Sequence, residues 1–574
     1  MEGAGGAKSA PAGMMRAAGL IIGVALLAGS CTAAPSAFAP ESEDGSLYGA
    51  FLAARYAGAA REPDASARFY AAALSHDPQS EYLSERAFYS ALLAGDFDRA
   101  DAAAPLAARQ GGGLQLAHIY LDAARLAGAR VRTDRAEPPL AMGPFGEMIG
   151  AMLDDWKEVA AGRDGARRAA ARAVQGPDTL TGHILIHRAL LLEVAGDNAA
   201  AEVAYRQADA SLDLEGYTTA LRGAFLERRG RADEALRLYE RHLSRSDNPD
   251  PEVVAGVERI NSGARAPRPL RPSQAAARAL FAPSALLAAS APVDYAALYL
   301  RLVQRLDPDY DRNTMYLAST LERLEMQDAA LAAYAQLEGG PFAMTGMVDA
   351  AWLNFRLGRT DDAIGQARHL ADADGSLQPR LLLADLYRMS GECRQAVPLY
   401  REVIDRRESE GREPDWRYLY FEGVCHQIAG DWESAEARFL SALDIDPDEP
   451  RVLNHLGYNW IVLNTNVEEG FELVRRAAEI EPENGAILDS LGWGHFKQGR
   501  FDEAVEWLER AAALSPDSAV VNWHLGDAYA AVGRDREAGF QWRRARDLEG
   551  DARVTRLVEQ RLEGGLSAGP ADIE

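Results

Sequence analysis

The sequence predicts an all-α fold, an α-solenoid in which helix-turn-helix units stack into a superhelix. Three observations predict it. Gly492 and Gly526 lie 34 residues apart, and Gly499/Gly533, Ala504/Ala538, Ala511/Ala545 and Pro482/Pro516 keep the same step. The step returns upstream, where Gly196, Ala201 and Tyr205 are matched by Gly230, Ala235 and Tyr239. The length, 574 residues, is too great for one compact core but natural for a stack whose units touch only their neighbours. Self-similarity at a fixed step of roughly 20–50 residues is the mark of such arrays.

Within one unit, Leu491-Gly492 is followed by Gly499, Ala504, Ala511 and Pro516. This resembles the tetratricopeptide (TPR) family, whose unit carries small residues at fixed places in both helices and a proline at its end. Small residues at Gly457, Gly492 and Gly526 let paired helices approach closely. Gly499 and Gly533 suit a left-handed turn between helices. Tyr400, Phe439, Leu508 and Trp542 fill the gap to the next unit, and Pro447, Pro482 and Pro516 end second helices. All of these read as core and punctuation, not as functional residues.

The elements follow in order. Residues 1–30 carry Lys8 and Arg16, then an apolar run from Ala17 to Ala28, the length of a signal-peptide core and too short to span a bilayer. The run ends in Leu27-Ala28-Gly29-Ser30-Cys31, which looks like a bacterial lipobox, with Cys31 lipidated. A cleaved signal at Ala37-Phe38-Ala39 is the competing reading, and Pro40 directly after that site disfavours it. Thr32 stands where an Asp often signals inner-membrane retention in lipoproteins, so the resemblance implies an outer-membrane lipoprotein facing the periplasm. Residues 31–45 read as a flexible tether. An N-terminal array is expected over 46–246, degenerate at 111–180. Seven prolines between Pro249 and Pro292 mark 247–293 as an irregular connection and the best boundary between two halves, although Ala275–Ala289 and Asp294–Pro308 could still form a divergent helix pair. A second array is expected over 294–550, with 551–574 as cap and tail, giving about ten to twelve repeats.

Net charge is −25, with three lysines (Lys8, Lys157, Lys497), and no basic footprint for nucleic acid is present. With Cys31 lipidated, Cys393 and Cys425 remain on neighbouring repeats. An oxidising periplasm would permit a disulfide between them; two buried free thiols are the other reading.

Catalytic signatures are missing: no phosphate loop, no H-E-x-x-H helix and no nucleophile elbow. His183 and His187, four apart, read as a surface or groove pair rather than as metal ligands. Acidic pairs such as Asp154-Asp155 and Glu468-Glu469 are ordinary on helix surfaces. The chain is expected to be a non-enzyme with no cofactor.

Function then falls to faces the core does not use. In the TPR family the first helices line a concave groove. Carried onto this chain, the groove positions are Arg417, Tyr420, Gln427, Asn454, Tyr458, Asp489, Trp493, Lys497, Trp523 and Asp527. Aromatics flanked by polar groups suit recognition of a peptide or helix. The lysine-rich clamp some TPR proteins use for a C-terminal carboxylate cannot be assembled, because Lys497 is the sole lysine after Lys157. Residues 450–548 carry Leu453-Asn454-His455-Leu456-Gly457-Tyr458, Asp489-Ser490-Leu491-Gly492-Trp493, His524-Leu525-Gly526-Asp527 and Phe540-Gln541-Trp542. These resemble a group of long proteobacterial TPR lipoproteins. The resemblance implies an adaptor that binds a periplasmic carboxy-terminal processing protease and presents substrates to it. A component of polysaccharide or outer-membrane-protein assembly is the alternative, and an enzyme with an unrecognised site the remote one.

Overall fold

The computed structural model describes residues 46–109, 115–130, 143–172, 181–209, 215–246, 249–290, 293–412, 415–548 and 552–567. Cys31, the signal segment and the tether lie outside them, as do Gly111–Gly113 and Pro138-Pro139. Every long element among the described residues is an α-helix. They are α1 (Leu47–Ala59), α2 (Pro63–His76), α3 (Glu81–Ala94), α4 (Phe97–Ala107), α5 (Gln115–Leu126), α6 (Gly143–Ala160), α7 (Arg163–Ala171), α8 (Thr181–Ala195), α9 (Asn198–Asp209) and α10 (Glu215–Arg228). There follow α11 (Ala232–Leu243), α12 (Pro251–Asn261), α13 (Pro272–Ser290), α14 (Val293–Leu306), α15 (Asp311–Arg323), α16 (Gln327–Ala335), α17 (Ala343–Arg356) and α18 (Thr360–Ala373). The remainder are α19 (Leu377–Met389), α20 (Cys393–Ser409), α21 (Trp416–Ile428), α22 (Trp432–Ile445), α23 (Pro450–Val462), α24 (Val467–Ile480), α25 (Gly485–Lys497), α26 (Phe501–Leu514), α27 (Ala519–Ala531), α28 (Asp535–Asp547) and α29 (Ala552–Gly564). Among the described residues, sequential helices pair into thirteen hairpins, with α5, α12 and α29 outside them.

The local causes are those of the repeat. Ser80, Asp96, Asn484 and Ser518 cap helix N-termini with their side chains. Gly499 and Gly533 turn the chain at φ 75° and 78°. At α23/α24 the two backbones touch: a Cβ on Gly457 would come 2.5 Å from the Gly470 carbonyl oxygen, and one on Gly470 2.7 Å from that of Gly457.

The chain divides into two compact units at Ala373/Asp374, not within 247–293. The proline-rich stretch is largely helical instead. Pro251 and Pro272 are first residues of helices, where a missing N–H costs nothing, and Asp250 caps α12 by accepting from the Glu252 N–H at 3.0 Å. Helix α13 is buried almost all round, from Ala275 to Ala288, and packs against α6 and α8. Its partner α14 packs against α3 and α5. This hairpin therefore covers the faces of four earlier helices. Phe281 sits among Tyr217, Tyr310 and Tyr316 with ring centroids 5.0–5.5 Å apart. Arg301 of α14 donates to the Leu93 carbonyl at 3.1 Å, and Arg305 pairs with Asp101 at 2.6 Å, across 208 and 204 residues of sequence. One continuous core results, from Ala50 to Leu353.

A recurrent device sets the register between repeats of this unit. Glu193 accepts from the Tyr205 hydroxyl at 2.9 Å, twelve residues on, and from Arg228 at 2.7 Å, one repeat on. Glu227 does the same with Tyr239 (2.8 Å) and Arg259 (2.6 Å). Glu322 does so with Tyr334 and Arg356.

His183 and His187 are not on a surface. Both are buried on α8; the His187 Nε2 lies 3.1 Å from an Asp155 oxygen, with the Trp156 ring edge-on. Among the described residues no group of three or more His, Cys, Asp or Glu side chains is placed to hold a metal ion.

Candidate functional site

The unit Asp374–Glu574 holds the candidate groove positions, on the first helices α21, α23, α25 and α27. Its core is a relay of smaller clusters, each shared by neighbouring repeats. This is the short-range packing expected of a stack.

Four of the ten groove positions are core. Asp489, Trp493, Trp523 and Asp527 are all buried. Each packs on a neighbouring helix: Asp489 and Trp493 on α27, Trp523 back on α25, and Asp527 on α28 and α29. Both Asp489 oxygens lie 3.0 Å from the His524 Nδ1, 35 residues on. The Trp493 ring is stacked between Phe496 (4.7 Å) and His524 (3.9 Å). Asp527 accepts from Trp523 Nε1 (3.2 Å), Trp542 Nε1 (2.9 Å) and Arg561 Nε (3.1 Å). Burial raises the Asp527 carboxyl above its usual range, against the lowering pull of Arg561. Helix α29 thereby closes the stack, with Val554, Val558 and Arg561 turned inward.

The other six reach the surface. Arg417 is exposed and held by Asp415, the cap of α21. Tyr420 is half-buried; its hydroxyl lies 3.2 Å from His455 Nδ1, and burial raises its pKa. Gln427 donates to Asn459 Oδ1 at 2.7 Å. Asn454 is half-buried, with its Oδ1 unpartnered. Burial, then the nearby Asp489, pushes the Tyr458 phenol up. Lys497 is exposed, and its ammonium stands 5.5 Å from the Trp493 ring centroid. Partial desolvation of the ammonium holds it below the usual lysine range, with Asp527 pulling the other way.

Sequence reasoning missed His455, Asn459, His524 and Arg561, which hold the candidates in place. A signal existed. Tyr420/His455 and Asp489/His524 are 35 apart and Asp527/Arg561 are 34 apart, so polar partners recur at the repeat step itself.

Residues 495–533 match the family described as TPR repeat, and residues 381–450 the family described as tetratricopeptide repeat. TPR repeat-containing protein PA4667 of Pseudomonas aeruginosa is 27% identical over 178 residues, which cover 30% of this chain and 29% of that protein. Among solved structures, a tetratricopeptide repeat protein from Parabacteroides merdae ATCC 43184 aligns at 14% identity over 44% of this chain and 97% of its own, with a TM-score of 0.37. MamA of AMB-1 aligns at 24% identity over 30% of this chain and 97% of its own, with a TM-score of 0.26. Residues 381–450 and 495–533 are thus similar to tetratricopeptide repeats. Repeats of this kind form scaffolds for protein–protein interaction.

Proposed function

We propose that the chain is an adaptor lipoprotein of the periplasm, anchored in the outer membrane through Cys31, and that its C-terminal array takes the protein partner. The carrying observation is the row Tyr420, Gln427, Asn454, Tyr458 and Lys497. These side chains stand half-buried or exposed on three successive first helices, and bonds from His455 and Asn459 pre-position Tyr420 and Gln427. Pre-ordered aromatic and amide groups lose little freedom on binding. The N-terminal array is the weaker candidate, because α13 and α14 already cover α3, α5, α6 and α8.

A carboxy-terminal processing protease as the partner rests on the resemblance of 450–548 and on the lipobox. Affinity capture from solubilised envelope, with the mature chain as bait, is the test. Recovery of such a protease supports the reading, and recovery of polysaccharide or outer-membrane assembly proteins in its place favours the alternative. Tyr458→Ala and Lys497→Glu are each expected to weaken the captured complex by about 2 kcal/mol, roughly thirty-fold in Kd. Undiminished capture by both variants would remove the groove from the proposal. A Cys31→Ala chain that still fractionates with the membrane would undo the anchor.

A further inference from the structure

We propose that the outward face of α1 docks flat on the lipid bilayer beside the chain's own anchor; this rests on lipidation of Cys31. Helix α1 is built the wrong way round for water. It turns Ala50, Ala54 and Ala57 toward the array, while Tyr48, Leu52 and Tyr56 stand 76%, 63% and 76% exposed on the opposite side. Their spacing of four puts them on one stripe. Phe51 flanks the stripe, and its ring meets Tyr82 edge-on at 6.1 Å; Tyr82, 47% exposed, widens the patch. A surface helix ordinarily shows water its polar side, and a helix apolar all round is a covered helix. The last helix of the other unit obeys that rule. Helix α29 exposes Arg553, Arg556, Glu559, Gln560 and Glu563 and buries Val554 and Val558, the polar outer face that a terminal repeat needs. The outward face of α1 lacks one.

Charge and position identify the occupant. Helix α1 carries one charged residue, Arg55, and no acid; the acids Glu41, Glu43, Asp44, Glu62 and Asp64 lie outside it on either side. Arg55 is exposed within the stripe, where it would meet anionic headgroups. Tyrosines, apolar in body and polar at the tip, suit the headgroup boundary. Thirteen helical residues make a rod about 20 Å long that can lie in the interface. Cys31 precedes Leu47 by sixteen residues, so a lipid on Cys31 holds α1 within about 55 Å of the bilayer. That tether turns a weak surface contact into an intramolecular one.

The test uses the full lipidated chain in vesicles of phosphatidylethanolamine and phosphatidylglycerol. Leu52→Cys carries an environment-sensitive fluorophore; Cys393 and Cys425 are buried and escape labelling. Val203→Cys on α9, at a position 44% exposed, is the control. Nitroxide-bearing lipids are expected to quench the label at 52 several-fold more than the label at 203. Equal quenching at both positions, in a chain that does partition with the vesicles, overturns the docking and leaves the anchor standing. So does a label at 52 that is shielded by dimer formation in detergent, since the occupant is then a second copy. A chain that does not partition at all overturns the anchor, and this inference with it.

Discussion

At the scale of the residue, the buried histidines make stability depend on pH. His183 is enclosed with its Nδ1 unpartnered, and burial holds its imidazole down at about 4. Burial also lowers His187, although Asp155 pulls it back up. An unfolded histidine takes its proton near about 6.5. Between that value and the folded one, the unfolded chain binds more protons, so the contribution is complete above about pH 6.5 and is lost as pH falls. The slope is about 1.4 kcal/mol per pH unit for each such histidine. Asp311 has the opposite sign: burial raises its carboxyl to about 6, so its contribution falls as pH rises from the ordinary carboxylate range toward that value. The two effects overlap, and a difference measurement separates them. The urea midpoint of the native chain is expected to drop more between pH 7 and 5 than that of His183→Phe. Parallel curves would show that His183 does not carry the effect. The thiols give a second check. Cys393 and Cys425 are buried and unbridged, and burial, with Cys393 alongside, pushes the Cys425 thiol up. Both are expected to resist an aromatic disulfide reagent in the folded chain and to react after unfolding; prompt reaction of either in the native state would contradict the packing.

At the scale of the element, the repeat step is also the step of the polar contacts. An acid on a first helix is shared by a tyrosine twelve residues on and an arginine one repeat on, as in Glu193/Tyr205/Arg228. Removing one partner of a buried pair leaves an unpaired charge, at a cost of about 3–5 kcal/mol. Glu193→Ala strands Arg228, whose side chain is 5% exposed. The double change Glu193→Leu/Arg228→Leu strands no charge, only the neutral Tyr205 hydroxyl, and is expected to melt above Glu193→Ala. The reverse order in thermal unfolding would mean that the pair is not what fixes the register. This also explains what the sequence shows and hides. Glycines and alanines at fixed spacing announce the helix pairs, because close approach tolerates nothing larger, as at Gly457 and Gly470. Which side of a first helix faces water depends on partners such as His524 and Arg561, which sit one repeat away. Asp489, Trp493, Trp523 and Asp527 therefore read as groove residues although they are core, whereas Arg417 and Lys497 are exposed.

At the scale of the whole molecule, the decisive feature of the first unit has no period at all. The α13–α14 hairpin returns to helices some 200 residues earlier, and its prolines look from the sequence like a break. A repeat step can report only contacts between adjacent units, so closure over this distance leaves no trace in it. Arg301 is where closure can be tested. Its side chain is buried, and burial brings its pKa down to about 10. Its Nε donates to the Leu93 carbonyl near the C-terminus of α3, the end of a helix that favours a cation, and its Nη1 donates to Gln304 at 2.9 Å. A Cβ on Gly95 would come 2.6 Å from the same guanidinium, so the fit is tight on that side as well. Arg301→Ala leaves the carbonyl unmet and opens a void in the continuous core, a loss of about 3 kcal/mol or more. Hydrogen exchange should then quicken in α3, α5, α13 and α14 and stay unchanged from α19 to α29, because the two units have separate cores. Exchange that quickens equally in both units would show that they unfold as one body, and exchange that quickens in neither would show that the hairpin is held by α13 alone.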